Sequence, residues 1–284
     1  MTFDRQDLKR QAKEAMGEAR PKFWVVTLVF FLLTTVVQWP FQALASILPD
    51  SFPGYATLSI FFSILYSLYT MVIQFGYHLW SLWTWRKLGP DLGSLFQGFS
   101  IFGRLLLMEV LIFLRILGWS FVLGFVMLFT SFLIFSPFLF IPYIIALYIL
   151  FYVLLLRYAM APYLLADYPD DGASSAIRRS VEMMDGWKWE LFKLEFSFFG
   201  WYLIQTALSA VVLLLFFSQT GLFEVILTLD TMELTFYQQI IWPATLVASL
   251  VTLPLSLWLT PYTEVTMAGF YDLLSHGAQR SDQA

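Results

Sequence analysis

The sequence contains no cysteine and only two histidines. The first absence excludes disulfides, thiolate nucleophiles and cysteine-ligated metal sites. His78 and His276 are far apart and form no metal-ligand motif, so neither zinc nor any other metal or cofactor is expected. Charge is scarce as well: Asp, Glu, Lys and Arg make up 13% of residues, where soluble domains carry about 25%. There is no glycine-rich phosphate loop, no nucleophile–base arrangement and no arginine-rich arm. The expectation is a non-enzymatic protein that does not bind nucleic acid.

A further scarcity is positional. All sixteen Lys and Arg residues fall on one side of the topology that the apolar segments imply. Arg5, Lys9, Arg10, Lys13, Arg20 and Lys22 precede the first apolar run. Arg86, Lys87 and Arg104 lie between the second and third, and Arg178, Arg179, Lys188 and Lys193 between the fourth and fifth. Arg280 follows the last, and Arg115 and Arg157 sit near the same-side ends of the third and fourth. The three opposite loops hold Asp50, Glu224, Asp230 and Glu233 but no basic residue. Basic residues flanking membrane spans are retained in the cytoplasm, which predicts cytoplasmic amino and carboxyl termini.

What the chain has in abundance is apolar surface. Of 284 residues, 59% are hydrophobic, with 30 Phe, 14 Tyr and 11 Trp, and the mean hydropathy is +0.72. The fold class expected is all-α, a polytopic membrane helix bundle of six spans with interfacial helices on the basic side. The spans fall near 23–48, 58–80, 105–132, 138–165, 191–217 and 240–271. One helix over 105–165 would be roughly 90 Å long at about 1.5 Å per residue, against a hydrocarbon layer of roughly 30 Å. Two spans are therefore required there, with an outer turn at Ser136, Pro137 and Pro142. The sixth span is long enough to tilt or break, and Pro243, Pro254 and Pro261 argue against an uninterrupted straight helix. In domain terms, 1–22 reads as a cytoplasmic amphipathic segment, 23–274 as the membrane domain and 275–284 as a cytoplasmic tail.

Two connectors on the basic side have helical periodicity. In 88–104, Leu92, Leu95, Phe96, Phe99 and Phe102 suit an interfacial helix. In 173–184, Ala176, Ile177, Val181 and Met184 face one way while Arg178, Arg179 and Glu182 face water. Ser174 or Ser175 is expected to contribute to that helix's cap. Gly186 allows the turn that follows it. Segment 222–229 is too short to span and reads as re-entrant or surface-lying. Trp80, Trp83 and Trp85 beside Arg86 and Lys87, and Trp187 and Trp189 beside Lys188, read as headgroup-level anchors.

Candidate site residues are the ionisable groups inside the spans. Glu109, Arg157, Glu195 and Glu264 can all approach the basic half of the bundle, where an ionised side chain must pair, snorkel or meet water. They are the expected ligand-binding residues, with Arg157 a candidate partner for Glu109 or Glu264. The alternative is plain structural ion pairing. His78 reads as a hydrogen-bonded anchor rather than a proton relay. Arg178, Arg179, Lys188 and Lys193 form the expected contact with anionic phospholipid. Asp167, Asp170 and Asp171 fit a solvated turn better than a metal cluster.

The passage MAPYLLADYPDDGASSAIRRSVEMMDGWKWELFKLEFSFFGWYL, residues 160–203, resembles the DUF975 family. An Ala166-Asp167 turn precedes an amphipathic helix with Ala176, Ile177, Ser180 and Met183, and Gly186 to Phe192 leads into the next span. The basic head DLKRQAKEAM, the segment SLFQGFSIFGR and the end PYTEVTMAGFYDLL extend the likeness over nearly the whole chain. A phenylalanine-rich region, 121–151, replaces a shorter glycine-proline turn. The resemblance implies a six-span bacterial inner-membrane protein and supplies no reaction. The leading functional expectation is lipid contact or scaffolding, with a membrane-protein partner or homo-oligomer. The alternative is a transporter of a small solute or lipid with its site among broken spans.

Overall fold

Helix is the only regular structure among the described residues of the computed structural model, which are 4–38, 55–131, 137–220 and 242–281. In chain order, α1 covers Arg5–Glu18, α2 Phe23–Val36 and α3 Tyr55–Trp85. A 3-10 helix over Leu92–Ile101 runs directly into α4, Phe102–Ser131. Then come α5, Pro137–Leu155, and α6, Ala161–Asp167, joined by a short 3-10 turn. The chain continues through α7, Gly172–Met183, α8, Lys188–Phe196, α9, Phe199–Thr220, and α10, Trp242–Ser281.

Five stretches are long and apolar enough to cross a membrane: Thr57–Trp85, Leu92–Thr130, Ile141–Asp167, Lys188–Gln219 and Pro243–His276. A sixth is counted if α1 and α2, bent by 86° to one another, act as one. Much of the expected first span, the outer turn before Pro137, and segment 218–237 beyond Thr220 lie outside the described residues. The protein is a multi-pass membrane protein by helix length and hydropathy.

The third and fourth spans are separate, as the length argument requires. Pro142 belongs to α5 rather than to the turn before it. The sixth helix corrects a second expectation: α10 continues through both Pro254 and Pro261. Each proline removes one amide donor, but α10 is packed by α9, α3, α2, α1 and α7. Tertiary packing on several sides lets a membrane helix carry proline without breaking.

The connector after α3 is a 3-10 helix rather than an α-helix, and it packs directly on α3. Gly76 permits this approach. A Cβ there would lie 2.1 Å from the Leu95 carbonyl oxygen, a backbone atom that cannot swing aside. The second connector helix, α7, forms as its periodicity predicts, with Ala173, Ala176, Ile177 and Ser180 buried. Its N-cap residue is Asp171, without a side-chain capping bond, so the serines do not cap it. Gly186 supplies the turn with φ of 79°.

The amino-terminal helix is no free surface helix. Asp4 caps α1 by accepting from the Gln6 amide at 2.9 Å, and Leu8, Ala12, Ala15 and Met16 are buried against the bundle. Lys9 donates to Ser197 Oγ at 2.8 Å and lies 4.0 Å from the Phe198 ring centroid. Burial of this ammonium lowers its pKa, with Lys13 and Arg5 nearby adding to the effect.

The core sits at one end. It is built from residues 72–82 of α3, the start of α4, α6 to α8, and residues 259–274 of α10. No residue with an assigned exposure between Glu109 and Leu155, or between Phe199 and Gln219, is buried. The buried end also carries most of the basic residues and is called the basic end below.

Candidate functional site

Helices α3 and α10 run parallel at the basic end, in a register set by two ion pairs. His78 Nδ1 meets Glu264 Oε2 at 2.9 Å, and Arg86 Nε donates to Asp272 Oδ1 at 2.7 Å, each pair separated by 186 residues in sequence. Equal offsets at two levels mean the helices advance together. Helix α6 joins them through Asp167, which accepts from Arg86 Nη1 and Nη2 at 2.7 and 2.8 Å and from Tyr271 Oη at 2.8 Å. The Asp167 hydrogen bonds, then those of Asp272, raise the pKa of Arg86 and hold its charge. Bidentate guanidinium–carboxylate geometry makes this a firm three-helix clamp.

Above the clamp lies a polar row inside the membrane. Tyr163 stacks on Tyr271, with ring centroids 5.4 Å apart, and meets the His78 ring edge-on at the same separation. Its hydroxyl is 3.5 Å from Glu264 Oε2. His78 lines one cavity and its partner Glu264 another. The larger, about 570 Å³, is lined from α2, α3, α4 and Pro162, and includes Thr34, Ser67, Thr70, Gln74, His78 and Glu109. The smaller, about 310 Å³, holds Glu195 and Glu264 with Phe198, Tyr202, Thr263 and Met267.

The sequence builds the larger cavity by helical spacing. Ser67, Thr70, Met71, Gln74, Phe75 and His78 recur every three or four residues and share one face of α3. Ile73, Tyr77 and Trp80 occupy the other face and are fully buried. From Tyr66 to His78 the lining follows α3 for about 18 Å at about 1.5 Å per residue. That is more than half of a roughly 30 Å hydrocarbon layer.

Of the four expected ligand-binding residues, three gather along this row. Glu109 lines the larger cavity and forms no hydrogen bond or ion pair among the described residues. Glu264 pairs with His78. Glu195 shares the smaller cavity with Glu264 and accepts from the Tyr152 hydroxyl. Arg157 stands apart and pairs with neither Glu109 nor Glu264. Its carbonyl accepts from Ser180 Oγ at 2.9 Å, and its Nε is buried without a hydrogen-bond partner. His78 is hydrogen-bonded as expected, but in the bundle interior rather than in a tryptophan belt.

The tryptophan and basic groups divide similarly. Trp80 is fully buried, stacked on Tyr77 with centroids 5.4 Å apart, so it is a core residue and not a headgroup anchor. Trp83 and Trp187 are partly buried, Trp85 packs over Gly269, and Trp189 is exposed. Each expected lipid-contacting cation has an acidic neighbour: Arg178 with Glu182 at 3.9 Å, Arg179 with Asp171 at 2.7 Å, Lys188 with Asp185 at 3.7 Å, and Lys193 with Glu190. The three aspartates after α5 go to three different arginines. Asp167 pairs with Arg86, Asp170 with Arg104 at 3.2 Å and Asp171 with Arg179. Asp167 is therefore part of the clamp, not a solvated turn residue.

Sequence reasoning missed Arg86, Asp272 and Tyr271 as a unit, and Tyr163 beside His78. The recurring offset between H78…R86 and E264…D272 is the trace they leave, and it has meaning only once α3 and α10 are known to be neighbours. No curated protein and no solved structure matches the chain. The family described as "Protein of unknown function (DUF975)" matches it over residues 1–277, and the chain belongs to that family.

Proposed function

We propose that this protein is a non-enzymatic carrier in a bacterial inner membrane, with both termini cytoplasmic, that takes a small solute or lipid into the cavity between α2, α3 and α4. One observation carries the reading: a cavity of about 570 Å³ follows α3 over more than half the hydrocarbon thickness and is lined by hydroxyls, Gln74, His78 and Glu109. That volume lies within the range of small-molecule sites, about 300–1,000 Å³. His78 of this lining is bonded to Glu264, which lines the cavity holding Glu195, and a pair in that position suits a gate. The basic distribution supports the orientation, and the family resemblance supports the bacterial membrane.

A lipid-contacting scaffold is the lesser reading. The four cations that would bind lipid already have acidic neighbours, which reduces their pull on an anionic headgroup. Because the chain lacks cysteine, a single introduced thiol is the only one present. Thr70→Cys in membrane vesicles of either orientation is expected to react with a membrane-impermeant, uncharged sugar-linked maleimide from both sides. Phe125→Cys, on an exposed apolar face of α4, is expected to stay unreactive. Labelling of Thr70→Cys from one side alone would return the protein to binding or scaffolding. A Thr70→Cys as inert as Phe125→Cys would end the cavity reading.

A further inference from the structure

Resting on that cavity reading, the lining also specifies the charge of what enters. The thirteen residues around the larger cavity include one carboxylate, Glu109, and no Lys or Arg. The six around the smaller one include two carboxylates, Glu195 and Glu264, and again no Lys or Arg. His78, the one group able to carry positive charge in either lining, is engaged by Glu264. Arg157, the cation expected to reach this row, pairs with none of these acids; only its backbone carbonyl is engaged, by Ser180. An ionised carboxylate inside a membrane requires a partner or water; among the described residues Glu109 makes no hydrogen bond or ion pair, and its one electrostatic neighbour, His78, is already bonded to Glu264.

Phe30, Phe31, Tyr66 and Phe75 supply aromatic walls to the same cavity. The Tyr66 hydroxyl is directed to the Thr34 carbonyl at 2.8 Å, which fixes the ring in the wall. Phe30 stacks on Tyr77 with centroids 4.4 Å apart and is held likewise. Aromatic faces attract cations and repel anions, and desolvation strengthens the effect. An aromatic wall and a single carboxylate in one lining suit an ammonium group with apolar substituents. They suit a phosphate or carboxylate poorly, because no donor of positive charge lines the space.

We propose that the cavity takes an organic cation, its ammonium group facing Glu109 and its apolar part against Phe30, Phe31, Tyr66 and Phe75. The ammonium can come from a free amine or from a zwitterionic lipid whose phosphate stays outside the cavity, and the group that faces Glu109 is the same for both. Glu195 and Glu264 add two carboxylates to the lining of the smaller cavity.

The test uses the purified full-length chain with Thr70→Cys as its single thiol. Rates of modification by the cationic trimethylammonioethyl and the anionic sulfonatoethyl methanethiosulfonates are each divided by their rates with free cysteine. The ratio of the two reagents cancels the thiol's own ionisation. A cation preference of about tenfold or more is expected from focusing of the field in the cavity. Glu109→Gln should collapse that preference and Glu109→Asp should keep it, which separates charge from folding. Benzyltrimethylammonium should protect the thiol while benzenesulfonate should not. Protection by lysophosphatidylcholine at lower concentration than the soluble cation assigns a lipid source, and the reverse order assigns a free amine. Equal normalised rates, or protection by benzenesulfonate, would overturn the cation assignment and leave the cavity reading intact. A thiol that neither charged reagent nor the uncharged maleimide reaches would overturn both.

Discussion

Helix α3 crosses two different worlds within one uniform apolar sequence. Near its start, Ile60, Phe61 and Ile64 are 61%, 53% and 53% exposed, whereas Ile73, Tyr77 and Trp80 further along are fully buried. Both stretches are rich in aliphatic and aromatic side chains. What differs is the neighbourhood: the second stretch carries Gly76, where the 3-10 helix docks, and ends in Arg86, where α6 and α10 are clamped. In a bilayer, apolar side chains gain little by leaving lipid for protein, so close packing and polar contacts decide where helices associate. The small and charged residues, few as they are, specify the packed end; the abundant Phe and Leu residues make the other end compatible with lipid.

The sharpest way to break this contrast is to remove the clamp. Arg86→Ala leaves Asp167 and Asp272 facing each other without their shared cation. The expected loss is about 3 kcal/mol, the low end for breaching a buried pair, because the Arg86 side chain is 26% exposed and the two aspartates 18% and 16%. Thermal unfolding in detergent checks it, and a melting temperature unchanged from the parent would show that the clamp holds nothing together. Gly76→Ala comes next. Its Cβ would meet backbone rather than a flexible side chain, and overpacking of this kind costs about 2 kcal/mol. The paired control is Gly124→Ala on α4, where nothing lies within 4 Å and higher helix propensity makes the change neutral or slightly stabilising. Equal melting behaviour of the two alanines would remove the distinction between the regions.

Between these and a null effect stands Tyr271→Phe. It deletes one hydroxyl donated to Asp167 and leaves both guanidinium bonds to that carboxylate in place. A hydrogen bond to a charged acceptor contributes about 1.5 kcal/mol, so a shift smaller than that of Gly76→Ala is expected. A double-mutant cycle with Arg86→Ala measures their coupling. Strict additivity would mean that the tyrosine and the arginine do not act as a unit.

The same contrast explains what is legible in the sequence. Five of the six expected spans, the break between α4 and α5, the amphipathic α7 and the turn at Gly186 follow from local period and length, which neighbours in space do not alter. Glu109, Glu195 and Glu264 were marked because charge inside an apolar run is costly wherever the helices go. Their partners were not legible. Arg157 was an equally good mate for Glu264 on depth alone, and only the parallel register of α3 and α10 selects His78. Trp80 was misread because an indole next to basic residues has the same sequence signature at a headgroup as in a core. Pro254 and Pro261 were misread for a related reason: the packing around α10 that retains the helix is contributed by residues far away in the chain.

The smallest expected effect tests the lipid-compatible region itself. Phe125 and Phe129 on α4 are 60% and 68% exposed, and their rings stack on one another with centroids 6.3 Å apart. In a soluble core, Phe→Ala would cost about 3–5 kcal/mol through lost transfer energy and a cavity. On a face covered by lipid tails the hydrocarbon closes around the shorter side chain, and little apolar surface is transferred to water on unfolding within the bilayer. Phe125→Ala with Phe129→Ala is therefore expected to change stability in lipid nanodiscs by less than about 0.5 kcal/mol, in the range of ordinary surface substitutions. Light scattering of the same samples reports the molecular mass. A large loss of stability with a fall in mass would mean that this face packs against a second protein chain. A large loss at constant mass would mean that the region carries intramolecular packing of its own, and the division between a specified end and a lipid-compatible end would have to be redrawn.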